Sequence, residues 1–267
     1  MSDMAPVAVV TGASRGAGLG IATALASLGW RVYGTGRSVP QAPTWGTGIR
    51  VDHSDDDAVG RVFERVGAET GRLDLLVNNA AVISDQLVSP KPFWEKPRDL
   101  ADVLDVGLRS AYVASWHAAP LLTAQPRALI AFTSSPGSVC YMHGPAYGAQ
   151  KAGVDKMAAD MAVDFRGTGV ATVAVWLGIL LTDKLRSAFD DNPDALEAFA
   201  QQAETPEFAG RVIDGLYRDP DLGDISGHAV IAAEVAARYG ITDNGRTPPS
   251  HRDMLGAPRV PSSVIVR

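Results

Sequence analysis

Two rhythms of apolar positions alternate along the chain. Short continuous apolar runs, the mark of strands buried on both faces, recur between longer stretches of three-to-four-residue period, the mark of helices with one apolar stripe. Residues 7–10 are the first such run. Residues 18–28 then carry helical periodicity, and Gly29 supplies the stop. Strands are predicted at 31–34 and 49–51. A helix over 55–70 follows, with Asp55, Asp56 and Asp57 at its start, where capping and the helix dipole favour acids. Residues 73–77 are continuously apolar apart from Asp74 and read as a fourth, buried strand. A long helix is expected over 99–122, a strand over 128–132, a helix over 146–166 and a strand over 170–177. This alternation predicts an α/β fold, a Rossmann-type doubly wound parallel sheet in three layers, α/β/α. No solenoid-period repeat and no low-complexity linker divides the chain, so a single dinucleotide-binding and catalytic domain is expected over 1–267.

Two stretches break the rhythm. Residues 82–97 carry Pro90, Pro92, Phe93, Trp94 and Pro97, and residues 182–205 are polar, with a break at Asn192-Pro193 and room for a short helix. Both follow strand ends, so they read as insertions that overhang a site or as plain surface loops. The tail after about residue 245 is irregular and proline-bearing, and is expected to be loosely ordered or to lie against a neighbouring subunit.

Composition narrows the function classes. Hydrophobic residues make up 46% and charged residues 20%, values of a globular domain with a core. A net charge of −6 argues against nucleic acid as a partner. The longest apolar run, 170–181, is interrupted by Thr172 and Gly178 and falls short of the ~20 residues that span a bilayer, so no membrane partner is expected. The N-terminus shows no basic region ahead of an apolar core, and a cytoplasmic protein is expected. Cys140 stands alone, and His53, His117, His143, His228 and His251 have no metal-ligand spacing, so no metal site is expected. His143 either lines a pocket or makes a local loop hydrogen bond.

The chemistry concentrates in residues 133–151. Tyr147 and Lys151 stand four apart, on one face of the helix predicted there. A tyrosine is a poor acid–base catalyst near neutrality, and an adjacent ammonium lowers its pKa. A serine at the preceding strand end can hold a substrate oxygen within the tyrosine's reach. Such a trio suits proton transfer coupled to hydride transfer. At the other end of the chain, Thr11-Gly12-Ala13-Ser14-Arg15-Gly16-Ala17-Gly18 sits between the first strand and the first helix. Glycines there let backbone N–H groups approach a pyrophosphate at the helix N-terminus. Asn78 and Asn79 end the fourth strand, where they brace neighbours or shape a ribose pocket. NAD readers place a carboxylate after the second strand; here Gly36 stands there, followed by Arg37, with Arg15 in the glycine turn. Two guanidinium groups and no acid suit a 2′-phosphate, so NADP(H) is the expected cofactor, with NAD(H) as the alternative.

Together these motifs, in this order and separation, resemble the short-chain dehydrogenase/reductase family in its single-domain branch. The resemblance implies an oxidoreductase that interconverts a carbonyl and an alcohol on a small-molecule substrate, in a homodimer or homotetramer that meets through the two long helices. It implies Tyr147 as proton donor or acceptor, Lys151 as the residue that lowers its pKa and binds the nicotinamide ribose, and Ser135 as the substrate-orienting hydroxyl, with Ser134 as its rival. It further implies a cofactor site of Gly12, Ser14, Arg15, Gly16, Ala17, Gly18, Arg37, Asp52, Asn79, Ala80, Gly178 and Thr182. The chain departs from the family pattern at Gly107, where an asparagine is usual, at Leu177 for proline and at Ala81 for glycine. The apolar Val82, Ile83, Phe93, Trp94, Leu180 and Leu181 suggest a hydrophobic substrate. Two rivals remain at this stage: a sugar-nucleotide epimerase or dehydratase, and a non-enzymatic NADP(H) sensor.

Overall fold

The computed structural model describes residues 5–266. The chain runs β1 (Val7–Val10), α1 (Gly16–Ser27), β2 (Arg31–Gly36), β3 (Thr47–Arg50), α2 (Asp56–Thr70) and β4 (Leu75–Asn78). After a region of short turns come α3 (Asp102–Leu104), α4 (Ser110–Thr123), β5 (Ala128–Ser134), α5 (Pro145–Asp164) and β6 (Val170–Trp176). Last come α6 (Asp183–Ser187), α7 (Pro193–Ala200), α8 (Pro206–Arg218), β7 (Ala229–Ile231), α9 (Ala232–Tyr239) and α10 (Arg252–Leu255). The strands form one seven-stranded sheet, ordered β3-β2-β1-β4-β5-β6-β7, and every pair is parallel.

Parallel strands need helical crossovers, and the crossovers cover both faces. On one face Ile21, Leu25, Phe208, Val212 and Ile213 pack under Val10, Leu75 and Val77. On the other, Val62, Phe63, Ala118, Leu122, Val154 and Ala158 pack against Val9, Leu76 and Ile130. The central strands are therefore buried at every position and mostly apolar, which is why no two-residue alternation shows there. α1 and α8 meet through small residues. A Cβ on Gly20 would stand 2.3 Å from Pro206, and one on Gly210 would stand 2.7 Å from the Ala24 Cβ. Trp30 Nε1 closes that interface by donating to Asp214 Oδ1 at 2.7 Å.

The elements differ from the predicted ones at several edges. The fourth strand starts at Leu75 rather than at 73, because Asp74 is a brace: its buried carboxylate accepts from Val7 N at 2.8 Å and pairs with Arg72. β2 runs two residues further than expected, to Gly36, and β3 is Thr47–Arg50 rather than 49–51. The helix predicted over 99–122 is not continuous: it starts with a tight turn at Arg98–Ala101 and passes through a π-turn at Asp105–Arg109, around Gly107. Asp55 caps α2 as expected, accepting from Ala58 N at 2.9 Å, and Gly71 ends it in the left-handed conformation. α8, β7 and α9 were not anticipated. The insertion at 182–205 folds into α6 and α7, and that at 82–97 into single turns. The tail is partly tied to its own chain. Ser250 and Arg252 bond Glu234 on α9, and the His251 ring lies over Trp176. Among the described residues, no helix is long and apolar enough to cross a membrane.

Candidate active site

In an open parallel sheet, ligands bind beyond the strand C-termini where the strand order reverses, here between β1 and β4. The glycine turn after β1 is fixed from β4. Thr11 Oγ1 accepts from Asn79 N at 2.9 Å and from Ala80 N at 3.0 Å, while Asn79 Nδ2 donates to Thr11 O at 3.0 Å. Asn79 thus braces the turn, whereas Asn78 reaches the other way and donates to Ser115 Oγ on α4. Gly12 has φ +71°, and a Cβ there would stand 2.8 Å from Ala80 Cα. A Cβ on Gly18 would stand 2.2 Å from Gly12 O, so helix and turn touch without side chains between them.

The turn fits a dinucleotide on two observations. Its backbone is bare of side chains where the chain must approach a ligand closely. The N-terminus of α1 has no side-chain cap, since Arg15 at the capping position makes no such bond, so its first amides remain available to an anion. Arg15 and Arg37 are both exposed at this end of the sheet. Gly36 has φ +156°, and a Cβ there would stand 2.3 Å from Ser14 Oγ, so a side chain at 36 requires that hydroxyl to move. Asp52 is exposed just past β3, and its carboxyl is held below the ordinary carboxylate range by the Ser54 N–H and hydroxyl, with Arg37 adding to the effect. Thr182 caps α6, accepting from Leu185 N, and its methyl lies 3.6 Å from where a Gly16 Cβ would be. Thr182 therefore closes over the glycine turn. Gly178 N donates to Glu204 Oε2 at 2.9 Å.

Ser135, Tyr147 and Lys151 come together beside this turn. Tyr147 Oη donates to Ser135 Oγ at 3.0 Å, and Gly137 N donates to the same oxygen at 3.2 Å. Lys151 Nζ lies 5.4 Å from the Tyr147 ring centroid and donates to Thr133 O at 3.1 Å. Ser134 turns away, with its hydroxyl directed at the Lys151 carbonyl at 3.5 Å. Of the two serines, Ser135 is the one against the tyrosine. Burial pushes the Tyr147 phenol up, the Ser135 hydrogen bond opposing it. Burial also pushes Lys151 down to about 8, with Asp155 opposing. Desolvation wins because the charged forms of both groups have lost their water.

Several residues at the site went unread in the sequence. Asp155, one turn beyond Lys151, accepts from Trp176 Nε1 at 2.9 Å and faces the Lys151 ammonium. The helical spacing was the available signal. Among the described residues the His143 ring has no hydrogen-bond partner; its centroid lies 5.0 Å from that of the Tyr147 ring, nearly perpendicular to it, with backbone φ +59°. Leu87, Leu100 and Val103 pack against Tyr147. A cavity of about 380 Å³ opens beside them, walled by Leu87, Phe93, Trp94, Leu104 and His143. Leu87, in the 82–97 stretch, belongs to the apolar cluster against Tyr147. Of the other apolar residues suggested for a substrate wall, Leu181 is buried and Ile83 is exposed.

Residues 6–193 match the family model described as short chain dehydrogenase. Dehydrogenase/reductase SDR family member 1 of Mus musculus is 36% identical over 258 residues, covering 89% of this chain and 82% of the relative. The 3-oxoacyl-(acyl-carrier-protein) reductase FabG of Escherichia coli is 30% identical, covering 69% of this chain and 78% of its own. The ligand-free aldohexose dehydrogenase of Thermoplasma acidophilum shares the fold, with a TM-score of 0.71 at 22% identity over 85% of this chain and 92% of its own.

Proposed function

This chain belongs to the short-chain dehydrogenase family and is an NAD(P)-dependent oxidoreductase, and from that premise we propose that it interconverts a carbonyl and an alcohol on a small apolar molecule, using NADP(H). The observation that carries the proposal is the 3.0 Å hydrogen bond between Tyr147 Oη and Ser135 Oγ, with a cavity lined by Phe93, Trp94 and residues 143–146, next to Tyr147 in the chain. Bound nicotinamide supplies or takes the hydride. Ser135 orients the substrate oxygen, and Tyr147 moves the proton at that oxygen. Because burial raises the phenol's pKa, Tyr147 is protonated at neutral pH and is set to donate in the reductive direction. Lys151 holds the ribose and, as ammonium, stabilises the phenolate left behind.

Gly12, Ser14, Arg15, Gly16, Ala17 and Gly18 would cradle the phosphates. Asp52 would meet the adenine, Asn79 and Ala80 the ribose, and Gly178 and Thr182 the nicotinamide. The NADP(H) preference rests on the exposed Arg15 and Arg37 and on the absence of an acid at Gly36. A cytoplasmic homo-oligomer completes the reading; Tyr112 and Trp116, exposed on α4, offer a face for a second copy. Titrations with NADPH and NADH, followed by nicotinamide fluorescence, test the cofactor assignment. NADPH should bind more tightly, and Arg37→Glu should reverse the order. An unchanged ratio in that variant would remove the argument for NADP(H).

A further inference from the structure

Lys151 sits on α5 beside a residue whose side chain leaves the site and enters another helix. Gln150 is 3% exposed, and its Nε2 donates to Gly107 O at 2.8 Å, in the middle of the π-turn over Asp105–Arg109. A Cβ on Gly107 would stand 2.9 Å from Gln150 Cγ and 3.0 Å from Cδ, so the glutamine fills the volume a side chain at 107 would need. The fit is reciprocal one turn along. A Cβ on Gly153 would stand 2.7 Å from Leu108 Cδ1. Each helix thus offers a glycine to the other's side chain, and the two lock at one relative height. That height matters because the locked helix carries Tyr147 and Lys151, whose reach to Ser135 and Thr133 is 3.0 Å and 3.1 Å. π-turns of this kind concentrate at functional sites, where they present a carbonyl outside the regular ladder.

We propose that Gln150 is a positioning residue for the Tyr147–Lys151 pair. Its amide clamps the Gly107 turn to α5, in the volume that a side chain at 107 would otherwise occupy. The proposal rests on the oxidoreductase reading for its effect on turnover, but the clamp has readouts of its own. Lys151 is buried against the Tyr147 ring with Asp155 near it and Thr133 O as its hydrogen-bond acceptor, and it directly follows Gln150 on α5.

The test uses four variants of the whole chain: Gln150→Ala, Gln150→Met, Gly107→Asn and the double Gly107→Asn/Gln150→Ala. The first readout needs no substrate. The Lys151 13Cε signal is titrated by NMR with labelled lysine and assigned through Lys151→Arg. Loss of the clamp should let water in and raise the Lys151 midpoint by about half a pH unit or more. The second readout is kcat and KM against pH with NADPH and 9,10-phenanthrenequinone as a generic carbonyl acceptor. Gln150→Ala should lower kcat about tenfold while KM and the NADPH Kd stay within about twofold. Gln150→Met keeps the volume and loses the donor. It should retain the wild-type Tm and still lose kcat. Gly107→Asn alone should fall in Tm and kcat because its Cβ meets Gln150; the double variant, which relieves that contact but still lacks the amide, should recover Tm and keep the low kcat of Gln150→Ala. A Gln150→Ala protein with the wild-type Lys151 midpoint would overturn the proposal, and so would a double variant with a Tm no higher than that of Gly107→Asn or with wild-type kcat. A wild type that turns over no carbonyl counts against the oxidoreductase reading instead, and the NMR titration and the Tm cycle then decide the clamp alone.

Discussion

Replacing Glu204 by glutamine isolates one buried titration at the edge of the site. Glu204 is 2% exposed and accepts from Gly178 N, while its own backbone is tied to Ile179 O and Leu181 N. It therefore anchors both ends of the segment bearing α6 and α7. Burial is the main cause that lifts its carboxyl from the ordinary 4.5 to about 7, with Asp243 adding repulsion and Gly178 N–H opposing. Asp243 is itself held by Arg211 and by the Thr205 N–H and hydroxyl. The folded state binds this proton more tightly than the unfolded chain. The resulting stability is complete below about pH 4.5 and is lost as pH rises through about 7. The displacement corresponds to about 3 kcal/mol of unfolding free energy. Glutamine keeps an acceptor for Gly178 N–H and cannot ionise. Urea unfolding of wild type and Glu204→Gln across pH, taken as a difference, cancels the other carboxylates. The variant should gain roughly 3 kcal/mol relative to wild type between pH 4.5 and pH 8.5. A difference that stays flat across that range refutes the reasoning, because it means Glu204 titrates no differently folded than unfolded.

Gly20→Ala places a methyl 2.3 Å from Pro206 at the α1–α8 contact, and should cost about 1–3 kcal/mol of overpacking in a thermal or urea melt while Gly29→Ser, which meets nothing nearby, acts only through its positive φ. Ser135→Ala should reduce turnover far more than Ser134→Ala, since only Ser135 Oγ reaches Tyr147 Oη; steady-state kcat for the two variants checks the assignment, and equal losses would contradict it. The Arg37→Glu reversal of cofactor order adds a prediction at the other end of the site.

Much of the framework was legible because it follows from local chemistry. The glycine turn, the apolar strands and the Asp55 cap each announce themselves by residue type. The Tyr147–Lys151 pair is visible because helical spacing is fixed. What the sequence hid was set by distant partners. Asp74 breaks an apolar run because its carboxylate is spent on Val7 N and Arg72, contacts that no periodicity reveals. β7 spans three residues, too few to establish a period. α8 was readable in hindsight, since Thr205-Pro206-Glu207 is a good helix start. The π-turn at Gly107 was not, because the residue that fills it, Gln150, is more than forty positions away. Burial that raises the Tyr147 phenol and lowers the Lys151 ammonium is likewise set by tertiary packing that no local pattern announces. Glu204 and Asp155 read as ordinary acids until the fold buries them.

The account's central claim is proton transfer by Tyr147 in a nicotinamide-dependent reaction. The most direct measurement is NADPH consumption across a panel of apolar ketones and diones, by wild type and by Tyr147→Phe. The account predicts turnover by wild type and a loss of about a hundredfold or more in the variant, with NADPH binding retained. Turnover that survives in Tyr147→Phe undiminished would contradict it, and so would a wild type that binds NADPH yet reduces no carbonyl in the panel.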